Sequence, residues 1–424
     1  MGTKGSIMRK KVIVRAPALT QSGYGEHSRF VLRALRSRED LFDIYLEPLA
    51  WGHTAWVSKS TEENDWMNKI IQKSALYVRQ NPVFDMSIQV TIPNEWEKIA
   101  PVNIGITAGI ESTRVSPVWL EKANIMDKIV VVSEHAKYGF DATSYTKTHK
   151  QTGHQVELVN NTPIKVVGYP VRDFDNVDLD IDFKHDFNYL VMAQWGPRKN
   201  LENTIRWFIE ENYDEEVGLV VKTSIRNGSR ADRAETEKRL SRLINEYKDR
   251  TCSVYLIHGT MDPEEISSLY QHPKIKAFIS LTHGEGFGLP IFEAAYNSLP
   301  IVTTGWGGQC DYLYVGEGKK KKGLFADVNY SIAPIQPAAH WDGVLEKESS
   351  WCYPDQGSYK MKLRQVRKNY DKWKKRAKKL ERNIRNSFGP ETQYEKLVES
   401  LIQESSNDKE VDQLFDALVT GKSA

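Results

Sequence analysis

Cysteine is scarce: Cys252, Cys310 and Cys352 are the only three in 424 residues. An odd number at wide spacing, with no Cys-x-x-Cys pair and no Cys/His ligand pattern, excludes a disulfide framework or a structural zinc site and fits a reducing compartment. Long apolar runs are missing too. No stretch approaches the ~20 apolar residues of a membrane span. The basic residues near the N-terminus are not followed by an apolar segment of signal-peptide length, so the expected location is cytoplasmic. Charge of one sign is in little excess, the net charge being +2. Without a large single-sign field, a dedicated DNA- or membrane-coating role is disfavoured. No internal repeat is present.

What remains is an ordinary globular composition. Apolar residues make up 40% and charged residues 27%, which leaves material for two sizeable cores. At roughly 100–200 residues per domain, the length favours two domains. Short apolar runs alternate with amphipathic stretches. Residues 12–14, 44–46, 102–106 and 129–132 read as buried strands, and 26–35 as a helix with Phe30, Val31, Ala34 and Leu35 on one face. Ser133 is placed to cap a helix over 134–140. Residues 171–187 crowd six aspartates and read as an interdomain linker. Beyond it, strands are expected at 189–193, 219–222, 254–257, 277–281 and 301–303, with helices at 201–211, 234–246, 263–270 and 290–296. A basic helical stretch over 360–386 and a polar tail after Ser405 complete the chain. Such alternation implies parallel sheets built from strand–helix–strand units. The expected division is 1–172 for the first domain, 173–187 for the linker, 188–385 for the second domain, and 386–424 for a C-terminal helix returning to the first domain, with its tail.

In open α/β sheets, ligands sit beyond the carboxyl ends of the strands, and the chemically suggestive residues follow strands. The strongest motif is Glu285-Gly286-Phe287-Gly288-Leu289-Pro290-Ile291-Phe292-Glu293. It opens a helix, and Pro290 suits a first turn. Gly286 and Gly288 allow backbone N–H groups to approach a ligand at a helix N-terminus that favours anions. Glu285 before the helix and Glu293 further in are expected to face one cleft, one accepting from sugar hydroxyls and the other from ribose hydroxyls. Arg198 and Lys199 sit between a strand and a helix and are suited to a diphosphate leaving group without a metal ion; the bland reading is a solvated basic turn. Ser22-Gly23-Tyr24-Gly25 is a glycine loop after the first strand. Glu111, in Gly109–Arg114, follows another strand and is suited to orienting an acceptor or stabilising positive charge at the reacting carbon; the alternative is a helix-start carboxylate. His135 is a further cleft candidate.

Residues 282–300 resemble the Glu-x7-Glu signature of glycosyltransferase family 4, a retaining family of the two-domain GT-B type. Residues 193–200 resemble its Arg-Lys phosphate turn, and 259–266 the turn beside the donor base, which adds Gly259. Ser22–Gly25 resembles the family's N-terminal glycine loop. Many members carry another arginine where this chain has Ala193, and some branches carry an active-site histidine where this chain has a Glu111-x-x-Arg114 arrangement. The resemblance implies a GT-B α/β fold, two Rossmann-like parallel-sheet domains facing across a cleft. It implies a hexosyltransferase-type enzyme that uses a nucleoside-diphosphate sugar, UDP- or GDP-linked, with retention and with neither metal nor cofactor. The assigned catalytic residues are Glu285, Lys199, Arg198 and Glu111. The donor set is Glu293, Gly286, Phe287, Gly288, Leu289, Gly259, Gly23, Tyr24 and Gly25.

The acceptor stays open. Trp51 and Trp56 follow a strand and are assigned, with His135, to the acceptor, a saccharide or glycoconjugate. The same tryptophans are able to stack on an extruded base. A phage-type member that glycosylates hydroxymethylated pyrimidines in DNA is therefore the alternative, with Lys319–Lys322 and the basic helix meeting phosphates. The Asp-x-Asp patterns at 178–182 match a metal motif of another glycosyltransferase fold but fall in the linker. A GT-B-shaped epimerase or phosphorylase, or a non-catalytic binding module, are the rivals of other classes.

Overall fold

The computed structural model describes residues 9–148 and 155–402. The expected polar tail after Ser405 lies outside the described residues. Two six-stranded sheets carry the architecture. In the first, Phe42–Pro48, Lys10–Ala16, Met86–Val90, Val102–Thr107, Lys128–Val131 and Ile164–Val166 lie side by side in that order, all parallel. In the second the order is Ser253–Ile257, Gly218–Lys222, Asn188–Met192, Ile275–Ser280, Ile301–Thr304 and Ala326–Val328, again all parallel. These are two Rossmann-like domains, the GT-B architecture expected. Parallel neighbours need crossovers, and helices such as Gly23–Arg36 and Leu201–Glu211 supply them.

The strand the sequence pattern hides is Met86–Val90, inside the first sheet between Lys10–Ala16 and Val102–Thr107. It carries Ser87 and Gln89 among its apolar residues, yet all five are buried. The polar pair is tolerated because it is satisfied: Ser87 Oγ donates to Asn103 Oδ1 at 2.8 Å and Gln89 Nε2 to the Glu97 carbonyl at 2.5 Å. The basic stretch expected over 360–386 is two helices, Gln356–Lys368 and Tyr370–Ser387, broken at Asn369. Its apolar stripe is buried, with Leu363, Val366 and Trp373 in the second domain's core.

Residues 167–187 contain no helix or strand and join the sheets. The aspartates Asp182 and Asp186 are exposed and pair with Lys274, but Val171 and Phe183 are buried, so this connection is packed as well as solvated. One apolar core runs through the junction. Tyr169 from the connection, Phe287, Phe292 and Tyr312 from the second domain and Phe388 beyond it form a ring-to-ring cluster with centroids 5.0–6.4 Å apart. The last described helix, Pro390–Leu401, then lies on Gly23–Arg36 of the first domain, where Tyr394 meets Phe30.

Candidate active site

The carboxyl ends of both sheets feed their loops into one region. From the second domain, Pro197–Lys199 forms a short 3-10 turn. Asn200 closes it at φ 51°, a left-handed conformation that a short polar side chain accepts at low cost, and its Nδ2 donates to the Leu281 carbonyl at 3.1 Å. The turn is thereby knitted to residues 281–285: the His283 N–H donates to the Arg198 carbonyl at 2.8 Å, and Arg198 Nη1 to the Gly284 carbonyl at 2.7 Å.

This scaffold brings four charges together. Lys199 Nζ lies 2.5 Å from Glu285 Oε1, Arg198 Nη1 3.2 Å from Glu285 Oε2, and Arg198 Nη2 3.0 Å from Glu111 Oε1. Glu111 belongs to the first domain, so the last pair spans the cleft. Burial pushes the Glu285 carboxyl upward, but Lys199 and Arg198 outweigh it and hold the group below the usual carboxylate range. Burial, helped by Arg198, lowers the Lys199 ammonium against the pull of Glu285. Burial lowers Arg198 too, but Glu111 and Glu285 outweigh it and raise the guanidinium. Each cation thus has a carboxylate partner, Lys199 on Glu285 and Arg198 on both Glu285 and Glu111. A diphosphate is able to take over those donors, which frees Glu285 and Glu111 to accept from hydroxyls.

Glu293 has a different setting. It lies in helix Leu289–Tyr296 and accepts from Tyr270 Oη at 3.0 Å. Burial pushes its pKa up to about 7; the Tyr270 hydroxyl opposes this and the nearby Glu26 adds to it. Glu26 itself stays ionised, held by Arg33 at 2.5 Å and Arg172 at 3.0 Å.

Gly286 of the motif lies at the domain interface, while Gly288 serves the turn into its helix. A Cβ on Gly286 would come 2.1 Å from the Ala108 carbonyl of the first domain, so only glycine admits this approach. The same residue's carbonyl accepts from Ser133 Oγ at 2.5 Å. Ser133 also caps helix Glu134–Asp141 as expected, accepting from the Ala136 N–H. Gly288 takes φ +85° at the start of its helix, conformationally open only to residues without a Cβ penalty. Phe287 lies in the motif but its ring is in the joint apolar core, so only its backbone is available to a donor. Leu289 is half-buried against the same core.

The first domain contributes its glycine loop. Ser22 Oγ caps helix Gly23–Arg36 by accepting from the Gly25 N–H at 2.9 Å, and Gly25 sits where a Cβ would strike the Thr20 carbonyl. Open space surrounds the Cβ position of Gly23. Tyr24 reaches over to Thr107 Oγ1 at 2.8 Å and packs against Trp51 with ring centroids 4.4 Å apart and the planes tilted by 38°. Trp51 is thus occupied by protein packing. Trp56 is half exposed on a loop that leans on the second domain through Lys59 and Asp262, 3.0 Å apart. His135 is elsewhere, edge-on to Trp306 at 4.8 Å. Burial lowers it to about 4, leaving it neutral, and its Nε2 has no partner among the described residues. The structure does not gather these three residues into one contact set.

Several residues went unnoticed in the sequence. Lys222, at the end of its strand, donates to the Gly259 carbonyl and fixes the turn assigned to the donor base. Thr260 Oγ1 of that turn donates to Gln21 Oε1 across the cleft at 3.1 Å. Asp232 accepts from the Arg226 and Gly228 N–H groups and faces His258 at 3.0 Å, holding the neighbouring loop against Gly259. Lys222, a cation ending an apolar strand, was the one legible signal among them.

No curated protein matches the chain in sequence. Among solved structures, sucrose-phosphate synthase from Thermosynechococcus elongatus is similar at 12% identity and TM-score 0.60, over 98% of this chain and 100% of that one. An E. coli structure described as trehalose-6-phosphate bound with UDP-2-fluoro glucose is similar at 10% identity and TM-score 0.57, over 93% and 99%. The chain spans 58% of the length of S. aureus TarM, at 14% identity, TM-score 0.49 and 78% of this chain. Residues 181–337 match the family described as glycosyl transferases group 1. That segment holds Arg198, Lys199, Gly259, Glu285 and Glu293, and with the GT-B fold its match supports a glycosyltransferase.

Proposed function

We propose that the protein transfers a sugar from a nucleoside-diphosphate sugar to an acceptor hydroxyl, with retention of configuration and without a metal ion. The observation that carries this reading is the four-charge cluster of Lys199, Arg198, Glu285 and Glu111 at the meeting point of the two sheets. Breaking a glycosidic bond to a diphosphate puts negative charge on the leaving group, and fixed cations there stabilise the transition state more than the ground state. Lys199 and Arg198 hold the diphosphate, together with the backbone N–H groups of Phe287 and Gly288. Glu285 grips the sugar hydroxyls. Glu293, in its ionised form, accepts from the ribose, beside the turn at Gly259. Glu111 faces the same centre from the acceptor side and stabilises positive charge on the reacting carbon while the acceptor attacks the face the leaving group departs from.

The bound UDP-2-fluoro glucose of the E. coli neighbour supports a UDP-sugar as the first donor to try. A saccharide or glycoconjugate is the proposed acceptor. The test is transfer of radiolabelled sugar from UDP- and GDP-linked donors to oligosaccharide, glycoconjugate and hydroxymethylcytosine-containing duplex. Label on a saccharide supports the reading, label on the duplex alone replaces the acceptor, and hydrolysis or epimerisation without transfer overturns the activity.

A further inference from the structure

An arm of the second domain reaches onto the first. Residues 329–355 leave strand Ala326–Val328, pair as the antiparallel hairpin Tyr330–Pro334 with Ser350–Pro354, and loop outward between its strands. The Gly343 carbonyl accepts from Asn94 Nδ2 at 2.9 Å and Ser116 Oγ at 2.8 Å. Val344, 6% exposed, joins the first domain's apolar cluster with Trp96, Ile110, Val115 and Trp119, and Leu345 packs beside it. Ser350 and Thr113 exchange two hydrogen bonds, Thr113 N–H to the Ser350 carbonyl at 2.9 Å and Ser350 N–H to Thr113 Oγ1 at 3.0 Å.

The base of the arm holds the catalytic turn. Trp351 stacks on His283 at 5.0 Å and 10°, and the Cys352 N–H donates to the His283 carbonyl at 2.9 Å. His283 in turn donates its N–H to the Arg198 carbonyl. Pro337–Ala339 lies directly against Pro197–Lys199. The arm therefore grips the chain beside both members of the Glu111–Arg198 pair, Thr113 being two residues from Glu111. A single ion pair whose side chains are 26% and 25% exposed contributes little to holding two domains together, whereas apolar burial and paired hydrogen bonds contribute more.

We propose that this arm is an interdomain clasp in which Val344 and the Thr113–Ser350 pair are positioning residues. They hold Glu111 against Arg198 and keep this edge of the cleft shut before any nucleotide binds. The proposal rests on the active-centre reading above, but its test is partly independent of it. The full chain and its Val344→Ala, Val344→Ile and Thr113→Val variants are compared by small-angle scattering, alone and with UDP or GDP, and by steady-state transfer kinetics. The wild type keeps one radius of gyration with and without nucleotide, while Val344→Ala and Thr113→Val expand without it. Val344→Ala lowers kcat on the order of tenfold with little change in donor KM, and Val344→Ile restores it. In a Glu111→Gln background Val344→Ala adds little further loss, because the clasp acts through Glu111. A folded Val344→Ala variant that neither expands nor loses kcat overturns the proposal, as does a full additional loss in the Glu111→Gln background. If Val344→Ala does not fold, Thr113→Val decides by the same readouts. If the wild type transfers no sugar, the activity reading fails while scattering still decides the clasp.

Discussion

Arg198 and Glu111 lie on different domains and are 3.0 Å apart, so one of the two cations proposed to meet the leaving diphosphate is held from across the cleft. With Lys199 on Glu285, each cation of the centre has a carboxylate partner that a phosphate is able to replace. Under the proposed function, donor binding is an exchange of partners rather than the filling of an uncompensated positive site.

Lys199→Ala loses both donor affinity and turnover. A charge-assisted hydrogen bond of this kind contributes about 1.5–3 kcal/mol, which is roughly tenfold to a hundredfold in affinity. Calorimetry with UDP or GDP measures it. Affinity and kcat equal to wild type refute the phosphate assignment.

Glu285→Gln and Glu293→Gln separate in kinetics. The first removes a carboxylate from the reacting centre and mainly lowers kcat; the second mainly weakens the nucleoside diphosphate. Loss of diphosphate binding in Glu285→Gln alone would reverse the two roles.

Glu293 gives a pH signature. Its carboxyl is raised from 4.5 to about 7, chiefly by burial. A raised carboxyl pKa favours the folded state most below the unfolded value, and that contribution is lost as pH rises through about 7. The shift corresponds to about 3 kcal/mol as an upper figure. Glu293→Gln therefore matches wild type in Tm near pH 4.5 and exceeds it above about pH 8. Nucleotide affinity of the wild type rises over the same window, since the ionised form accepts from the ribose. Flat profiles for both place the carboxyl in an ordinary environment.

Gly286→Ala brings a methyl group onto the Ala108 carbonyl, 2.1 Å from its ideal position. Overpacking of this kind costs about 1–3 kcal/mol, and here it is spent separating the domains. Turnover falls and thermal unfolding of the variant comes earlier, whereas Gly23→Ala, facing open space, leaves thermal stability near wild type. Equal behaviour of the two variants contradicts the close approach.

Chelation is expected to leave turnover nearly intact, because Arg198 and Lys199 are proposed to take the role of a divalent ion. Turnover measured with excess EDTA checks this. Strict dependence on added manganese would return attention to the aspartates at 178–182.

Much of this molecule is local in origin and was legible as such. Apolar runs of strand length alternate with amphipathic segments, Ser133 caps its helix, and Glu285-Gly286-Phe287-Gly288-Leu289-Pro290 marks the start of another, because strand burial, capping and a proline-led first turn depend on neighbours within a few residues. The presence of Arg198, Lys199, Glu285 and Glu293 after strand ends follows from the same reading. What the chain does not write locally is who meets whom. Met86–Val90 becomes an inner strand because Asn103 and Glu97 satisfy its polar side chains. Phe287 turns into the core because Tyr169 and Phe388 arrive from distant segments. Gly286 is glycine for the sake of Ala108, and Glu111 reaches Arg198 across two domains joined by contacts such as Ser133 on Gly286 and Thr113 on Ser350. These are contacts between residues tens to hundreds of positions apart, set by packing and satisfied hydrogen bonds rather than by periodicity, so only the tertiary structure decides them.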